Sequence, residues 1–296
     1  MSSRTRTLVR AFAVLAVTIG AFAWTGSRVD PDALATSFRG AAPGWWAVAV
    51  LLVPVQTVLA AERWHHASRA LDVPLSRREA WTEFAVGTAV NQVLPGGVAG
   101  DVLRVWRQRQ QGLARAMRAA LVDRWWGQTV LATAVAGAVV WWPQTASKPA
   151  GLLVGVLLAT LVVASGWVLP QRTPVVGSVS ADLRRTARRS PALLFMLGLT
   201  LLAAILGGFA ACGLALGHAP GIWLVTAAPL GLLAASVPVS AGGWGLREGS
   251  LVAVLPHLGW SPEDALTLSL LFGLSFLAGA LPGLVLLALP APEPVP

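Results

Sequence analysis

Most ionisable residues in this chain fall in the gaps between long apolar runs, and that segregation restricts the fold more than any other feature. Runs near Leu8–Trp24, Trp45–Ala61, Ala119–Trp142, Ala150–Leu169, Pro191–Gly217 and Pro262–Leu289 are each long enough to cross a bilayer as a helix. Only 12% of the 296 residues are charged, where a soluble globule carries about a quarter, and mean hydropathy is +0.67. The expected fold is therefore an all-α, multi-pass membrane protein. The net charge of +9 fits a bias of Lys and Arg toward one membrane face, since nucleic-acid-binding modules are not made of long apolar spans.

The basic residues set the orientation. Most of the 22 Lys and Arg fall in Arg4–Arg10, Arg63–Arg78, Arg104–Arg118 and Arg172–Arg189, which are read as cytoplasmic. Arg28, Arg39 and Lys148 fall in the other gaps, and Arg124 and Arg247 lie in or near apolar stretches. Both termini are expected inside a cell membrane. Ala21-Phe22-Ala23 resembles a signal-peptidase site, but an uncleaved first helix is expected, and the later topology is the same either way. Trp45-Trp46, Trp125-Trp126 and Trp141-Trp142 read as interfacial anchors among the 14 Trp.

Two apolar segments do not fit a simple crossing. Residues 81–105 lie between two Arg-rich gaps on the same side, so they cannot cross an odd number of times, and Pro95-Gly96-Gly97 interrupts them near the middle, where a helix cannot continue. Residues 221–256 carry a similar break at Ser240-Ala241-Gly242-Gly243. Each is expected to be a re-entrant helical hairpin, the two entering from opposite faces. The chain then reads as a single integral membrane domain, 1–296, with two halves in an inverted repeat. The first half is about 8–142 with hairpin 81–105; the second is about 150–289 with hairpin 221–256; a cytoplasmic linker spans 170–190. Six spans and two hairpins result.

Such paired interruptions point to a transporter-like site at the repeat interface. Irregular backbone at membrane depth is tolerated only where it is buried in protein or lines a watery cavity. The second half-helix of each segment starts with N–H groups suited to an anion such as phosphate, and Gly96, Gly97, Gly242 and Gly243 would let a headgroup approach. Asp101 and Arg104 follow the first break, Arg247 and Glu248 the second. Charges at membrane depth are functional candidates by default. An Arg fork suits a lipid phosphate; a carboxylate suits a cationic headgroup or a proton. The alternative is structural pairing, Asp101 with Arg104 at i, i+3 and the other two with neighbouring helices. Asn91 and Gln92 are placed to satisfy freed backbone groups, Asp123-Arg124 is expected as a further intramembrane or interfacial pair, and Glu83 faces either cavity or cytoplasm.

His65, His66, His218 and His257 lack metal-ligand spacing, and the single Cys212 forms no intrachain disulfide. No P-loop, dinucleotide fingerprint or Gly-x-Ser-x-Gly elbow is present. No cofactor and no ATPase activity is expected; a transporter-like role is favoured over an enzymatic one, which stays open as an alternative.

Leu94-Pro95-Gly96-Gly97 through Gly100-Asp101 to Arg104, then Asp123-Arg124, then Pro238-Val239-Ser240 with Gly242-Gly243-Trp244-Gly245-Leu246-Arg247-Glu248 resemble the signatures of a flippase-like family that includes the membrane domain of lysylphosphatidylglycerol synthases. Glu62-Arg63-Trp64 also resembles that family's second-span terminus. The resemblance covers roughly Ala11–Leu289. It implies translocation between leaflets of a phospholipid, an aminoacylated phosphatidylglycerol or a polyprenyl-phosphate lipid. It also implies a site including Pro95, Gly96, Gly97, Gly100, Asp101, Arg104, Gly242, Gly243, Gly245, Arg247 and Glu248, beside which Asn91, Asp123, Arg124 and Ser240 are candidates. No soluble aminoacyl-transferase domain follows Leu289, so lysyl-lipid synthesis is not expected.

Three functions compete. A translocator passes headgroups between the hairpins and has an anionic phospholipid or lipid-linked headgroup as its partner. An intramembrane lipid-carrier transferase or hydrolase would use Asp101, Asp123 or Glu248 as base, and amide substitutions there would abolish turnover but spare lipid binding. A non-catalytic membrane partner of a separate synthase would tolerate those changes and require Arg184–Arg189.

Overall fold

Proline starts five of the described helices, where its missing N–H costs nothing. The computed structural model describes residues 3–93, 99–109, 112–143, 156–157, 174–237 and 243–288, with backbone only for 3–11, 13, 14, 93 and 174–177. These residues form α1 (Ser3–Gly26), α2 (Pro31–Gly40), α3 (Pro43–Ala70), α4 (Arg77–Val93), α5 (Ala99–Arg107), α6 (Leu113–Trp141), α7 (Pro174–Arg189), α8 (Pro191–Ala215), α9 (Ile222–Ser236), α10 (Leu246–Val254), α11 (Pro262–Gly279) and α12 (Leu281–Ala288). Among the described residues there is no strand.

Among the described residues, three helical stretches are long and apolar enough to cross a membrane: Pro43–Ala70, Pro191–Ala215 and Pro262–Ala288. Leu15–Gly26 and Ile222–Ser236 are shorter apolar helices. Helix α6 covers the expected 119–142 run but starts six residues earlier, and α12 is set off from α11 at Ala280, just before Pro282. The expected 150–169 span lies outside the described residues apart from 156–157.

Helix α3 is the hub, packing on α8, α4, α11 and α6. Small residues allow close helix approaches: a Cβ on Gly279 of α11 would lie 2.5 Å from Val53 of α3, and one on Gly198 of α8 2.7 Å from Val130 of α6. The largest apolar core joins α6, α8, α9, α10 and α11, with Phe209 and Phe272 stacked 3.8 Å apart.

Three of the stretches between the expected spans are helical. Arg63, Trp64 and His65, at the end of the second span, stay on α3 and are buried, Arg63 against Asp123 of α6, Trp64 against Phe84 of α4 and Arg104 of α5, and His65 against the Leu75 carbonyl. The 170–190 linker folds as α7 over 174–189 and docks through Trp126 Nε1 donating to Thr186 Oγ1 at 3.1 Å. The gap before the second span contains α2, whose Ser37 hydroxyl donates to Asp264 Oδ1 at 2.6 Å.

The two broken segments each fold back on themselves, α4 on α5 and α9 on α10. The first break, 94–98, and most of the second, 238–242, lie outside the described residues. Pro95, Gly96, Gly97, Ser240 and Gly242 therefore have no described placement.

Candidate functional site

The first broken segment closes through a contact only glycine permits. A Cβ on Gly100 would lie 1.9 Å from the carbonyl oxygen of Gly87. This brings the start of α5 against α4, where the Gly100 N–H donates to Asn91 Oδ1 at 2.7 Å. The amide expected to greet an anion is thus already bound, and Asn91 has the backbone-satisfying role its position suggests.

One residue on, Asp101 enters a chain of alternating charges. Arg124 Nη1 donates to Asp101 Oδ2 at 2.8 Å, and Arg104 Nη2 lies 3.2 Å from Asp101 Oδ1 and 3.8 Å from Asp123 Oδ2. Arg63 Nε donates to Asp123 Oδ1 at 2.8 Å. Asp123 and Arg124 do not pair with each other: being adjacent on a helix they point apart, one to Arg63 and one to Asp101. Arg104, counted above among cytoplasmic charges, is only 4% exposed and lies between the rings of Trp64 and Phe84, 4.6 Å from each. The aromatic faces offset part of its lost hydration. Glu83 faces neither cavity nor cytoplasm; it is buried and accepts from Arg107 Nε at 2.9 Å.

The two ends of this chain differ. Arg63 and Asp123 are sealed, whereas the Asp101 and Arg124 side chains stay 29% and 34% exposed. They form the polar end of a groove of about 800 Å³, walled by Val102, Val105 and Trp106 of α5, Leu113, Met117 and Leu121 of α6, and Leu233 of α9. Gln128, one turn beyond Arg124, and Ser236 join the polar end, the Ser236 hydroxyl lying 3.4 Å from Gln128 Oε1. Arg124 Nη2 reaches the Ser236 carbonyl at 3.5 Å. One guanidinium therefore touches the first turn of α5 and the last residue of α9, so the helices that flank the two breaks come together at the end of the groove. Arg124 lies about 16 Å along α6 from Leu113 at 1.5 Å per residue, well inside the helix.

The second break is built differently. Gly243 and Gly245 have φ of +82° and +86°, a backbone that side chains rarely adopt. Beyond them, Glu248 is fully buried: Oε2 accepts the Gly245 N–H at 2.6 Å, and Oε1 accepts from Arg247 Nη2 at 2.7 Å and Ser269 Oγ at 2.8 Å. Arg247 Nε donates to Ser269 Oγ at 2.9 Å. Helix α1 lies over this break, its Thr18 carbonyl 3.0 Å from where a Cβ on Gly245 would be. Here too the exposed amide is occupied, by the protein's own carboxylate, and this pair is closed to the groove that Arg124 lines.

Of the expected site residues, the structure brings Asn91, Gly100, Asp101, Arg104, Asp123 and Arg124 together, and holds Gly243, Gly245, Arg247 and Glu248 in a separate sealed cluster. Gln128, Ser236 and Ser269 were missed; each is a polar residue within an apolar helix, a signal the sequence already carried. Arg63 stood out only through resemblance.

No curated protein and no solved structure matches the chain. Residues 11–283 match the family described as the lysylphosphatidylglycerol synthase TM region. That match runs from α1 into α12, through both broken segments and every residue of the charge chain, and the chain belongs to this family, whose membrane-embedded, lipid-related character agrees with its apolar helices.

Proposed function

We propose that this protein moves a phospholipid between membrane leaflets, its headgroup passing the Asp101–Arg124 end of the groove while the acyl chains stay against the apolar walls. The observation that carries this reading is Arg124 bridging Asp101 and Ser236 at the polar end of an otherwise apolar groove. The shape matches an amphiphile: one polar end, with walls of Val102, Trp106, Met117 and Leu121 exposed enough to meet lipid tails. The membrane arrangement we propose with it is six spans and two re-entrant hairpins in one inverted-repeat domain, with both termini cytoplasmic.

The carboxylates an intramembrane transferase would need as a base, Asp101, Asp123 and Glu248, are all held by Arg partners, which favours transport over chemistry. The test is leaflet exchange of headgroup-labelled phosphatidylglycerol in proteoliposomes, with the intact protein and Arg124→Ala. Exchange accelerated by the intact protein and lost in the variant supports the reading. No acceleration by the intact protein overturns translocation of this lipid, and equal acceleration by both overturns the groove as its route.

A further inference from the structure

The charge chain does not balance. Arg63, Arg104 and Arg124 supply three cations and Asp101 and Asp123 only two anions, leaving one positive charge in excess. The other charged pair on these helices, Arg107 with Glu83, is neutral in itself, as is Arg247 with Glu248 at the second break. The residues of the two breaks outside the description, 94–98 and 238–242, include no ionisable side chain that would cancel it. An uncompensated charge among apolar helices is costly, because neither water nor salt screens it there. The excess is also not spent on hydrogen bonds: Arg104 Nε and Nη1, both buried, have no partner among the described residues.

From this imbalance we infer that the groove takes a lipid bearing a single negative charge, a phosphodiester, whose phosphate completes the chain at Arg124, and that Arg63, which does not line the groove, sets this preference. The inference rests on the lipid reading above and adds the charge of its headgroup. Arg124 is the only cation of the chain that lines the groove, so the missing anion can be supplied there and nowhere else along it. The Arg124 guanidinium, whose Nη2 makes only a 3.5 Å contact to the Ser236 carbonyl, and the neighbouring Gln128 amide suit the several acceptor oxygens of a phosphate. A phosphomonoester with two charges would overshoot by one, and an uncharged lipid would leave the excess unmet. Because the five side chains are linked in series and Arg63, Asp123 and Arg104 are nearly buried, removing a charge at the sealed end changes what the open end requires.

The experiment measures binding rather than transport, by native mass spectrometry of the purified protein with phosphatidylglycerol, phosphatidic acid and diacylglycerol of matched acyl chains. The intact protein should favour phosphatidylglycerol over both others by about tenfold or more. Arg63→Gln, which brings the excess to zero, should abolish the preference for phosphatidylglycerol over diacylglycerol. Asp123→Asn, which brings it to two, should shift the preference to phosphatidic acid. The double variant restores an excess of one and should restore phosphatidylglycerol. Arg63→Lys keeps the charge and should keep the preference, which separates charge from damage to the fold. A preference unchanged across Arg63→Gln and Asp123→Asn overturns the inference, even if leaflet exchange is robust. Inorganic phosphate displacing the lipid as well as phosphatidylglycerol does would overturn the lipid assignment. The expected pattern with no leaflet exchange would leave the inference standing and remove translocation.

Discussion

The Arg124 guanidinium donates to the Asp101 carboxylate at 2.8 Å, tying the body of α6 to the first turn of α5 just beyond the first break. Since the same guanidinium lies within 3.5 Å of the Ser236 carbonyl, any movement of either broken segment must stretch or break a contact of this one side chain. The groove is shaped by that restraint.

Arg124→Lys keeps the charge but cannot reach two acceptors in a plane. Leaflet exchange of phosphatidylglycerol should fall roughly tenfold, to a rate still above that of Arg124→Ala. Parallel initial-rate measurements check this, and equal rates for Lys and Ala would show that geometry rather than charge is what matters.

Gly100→Ala should prevent closure of α4 on α5, because the added Cβ would sit 1.9 Å from the Gly87 carbonyl oxygen, an atom of the backbone that cannot swing aside. Overpacking of this kind costs about 1–3 kcal/mol or more. A lowered thermal midpoint in detergent, with loss of the Gly100 amide's bond to Asn91, is the expected result. Asn91→Ala should weaken the same junction by about 1 kcal/mol, the usual cost of a lost cap.

Glu248→Gln removes the anion that neutralises Arg247 while keeping the shape. Breaking a buried pair from one side costs about 3–5 kcal/mol, and Ser269 alone cannot replace the charge. A large drop in thermal stability is expected, whereas Arg28→Gln, at an exposed site beside Trp24, should have no such effect.

Asp72 holds α7 to the end of α3. Its carboxyl is kept below the usual range, first by the hydrogen bond from Arg189, whose Nη1 donates to Oδ1 at 2.9 Å, and also by Arg185. A carboxylate with a lowered folded value contributes stability above its ordinary pKa of 3.8 and loses it as pH falls through the lower folded value. Hydrogen exchange in α7 should therefore rise only below about pH 4. Asp72→Asn, which keeps the left-handed backbone at φ +54°, should make α7 exchange faster at neutral pH and remove the acid step.

The apolar runs, their Pro starts and the two Gly/Pro breaks were legible in the sequence because span length and helix interruption are local properties of consecutive residues. So was the value of the charges near each break, since an ionisable residue in an apolar stretch must find a partner wherever it ends up. Partner choice was legible only where it was local. Spacing paired Asp101 with Arg104, which lie 3.2 Å apart, but it also made a unit of Asp123 and Arg124, whereas the structure links Asp123 to Arg63, sixty positions away. It also treats the charges that follow the two breaks differently, Asp101 lining a groove and Arg247 sealed with Glu248, although the motifs read alike. The sequence by itself determined that this chain lives in a membrane and where its helices are interrupted. Which charges meet, which side is left with one cation too many, and where a groove remains were decided only by tertiary packing, because burial sets the cost of a charge and only the neighbouring helices determine what is buried.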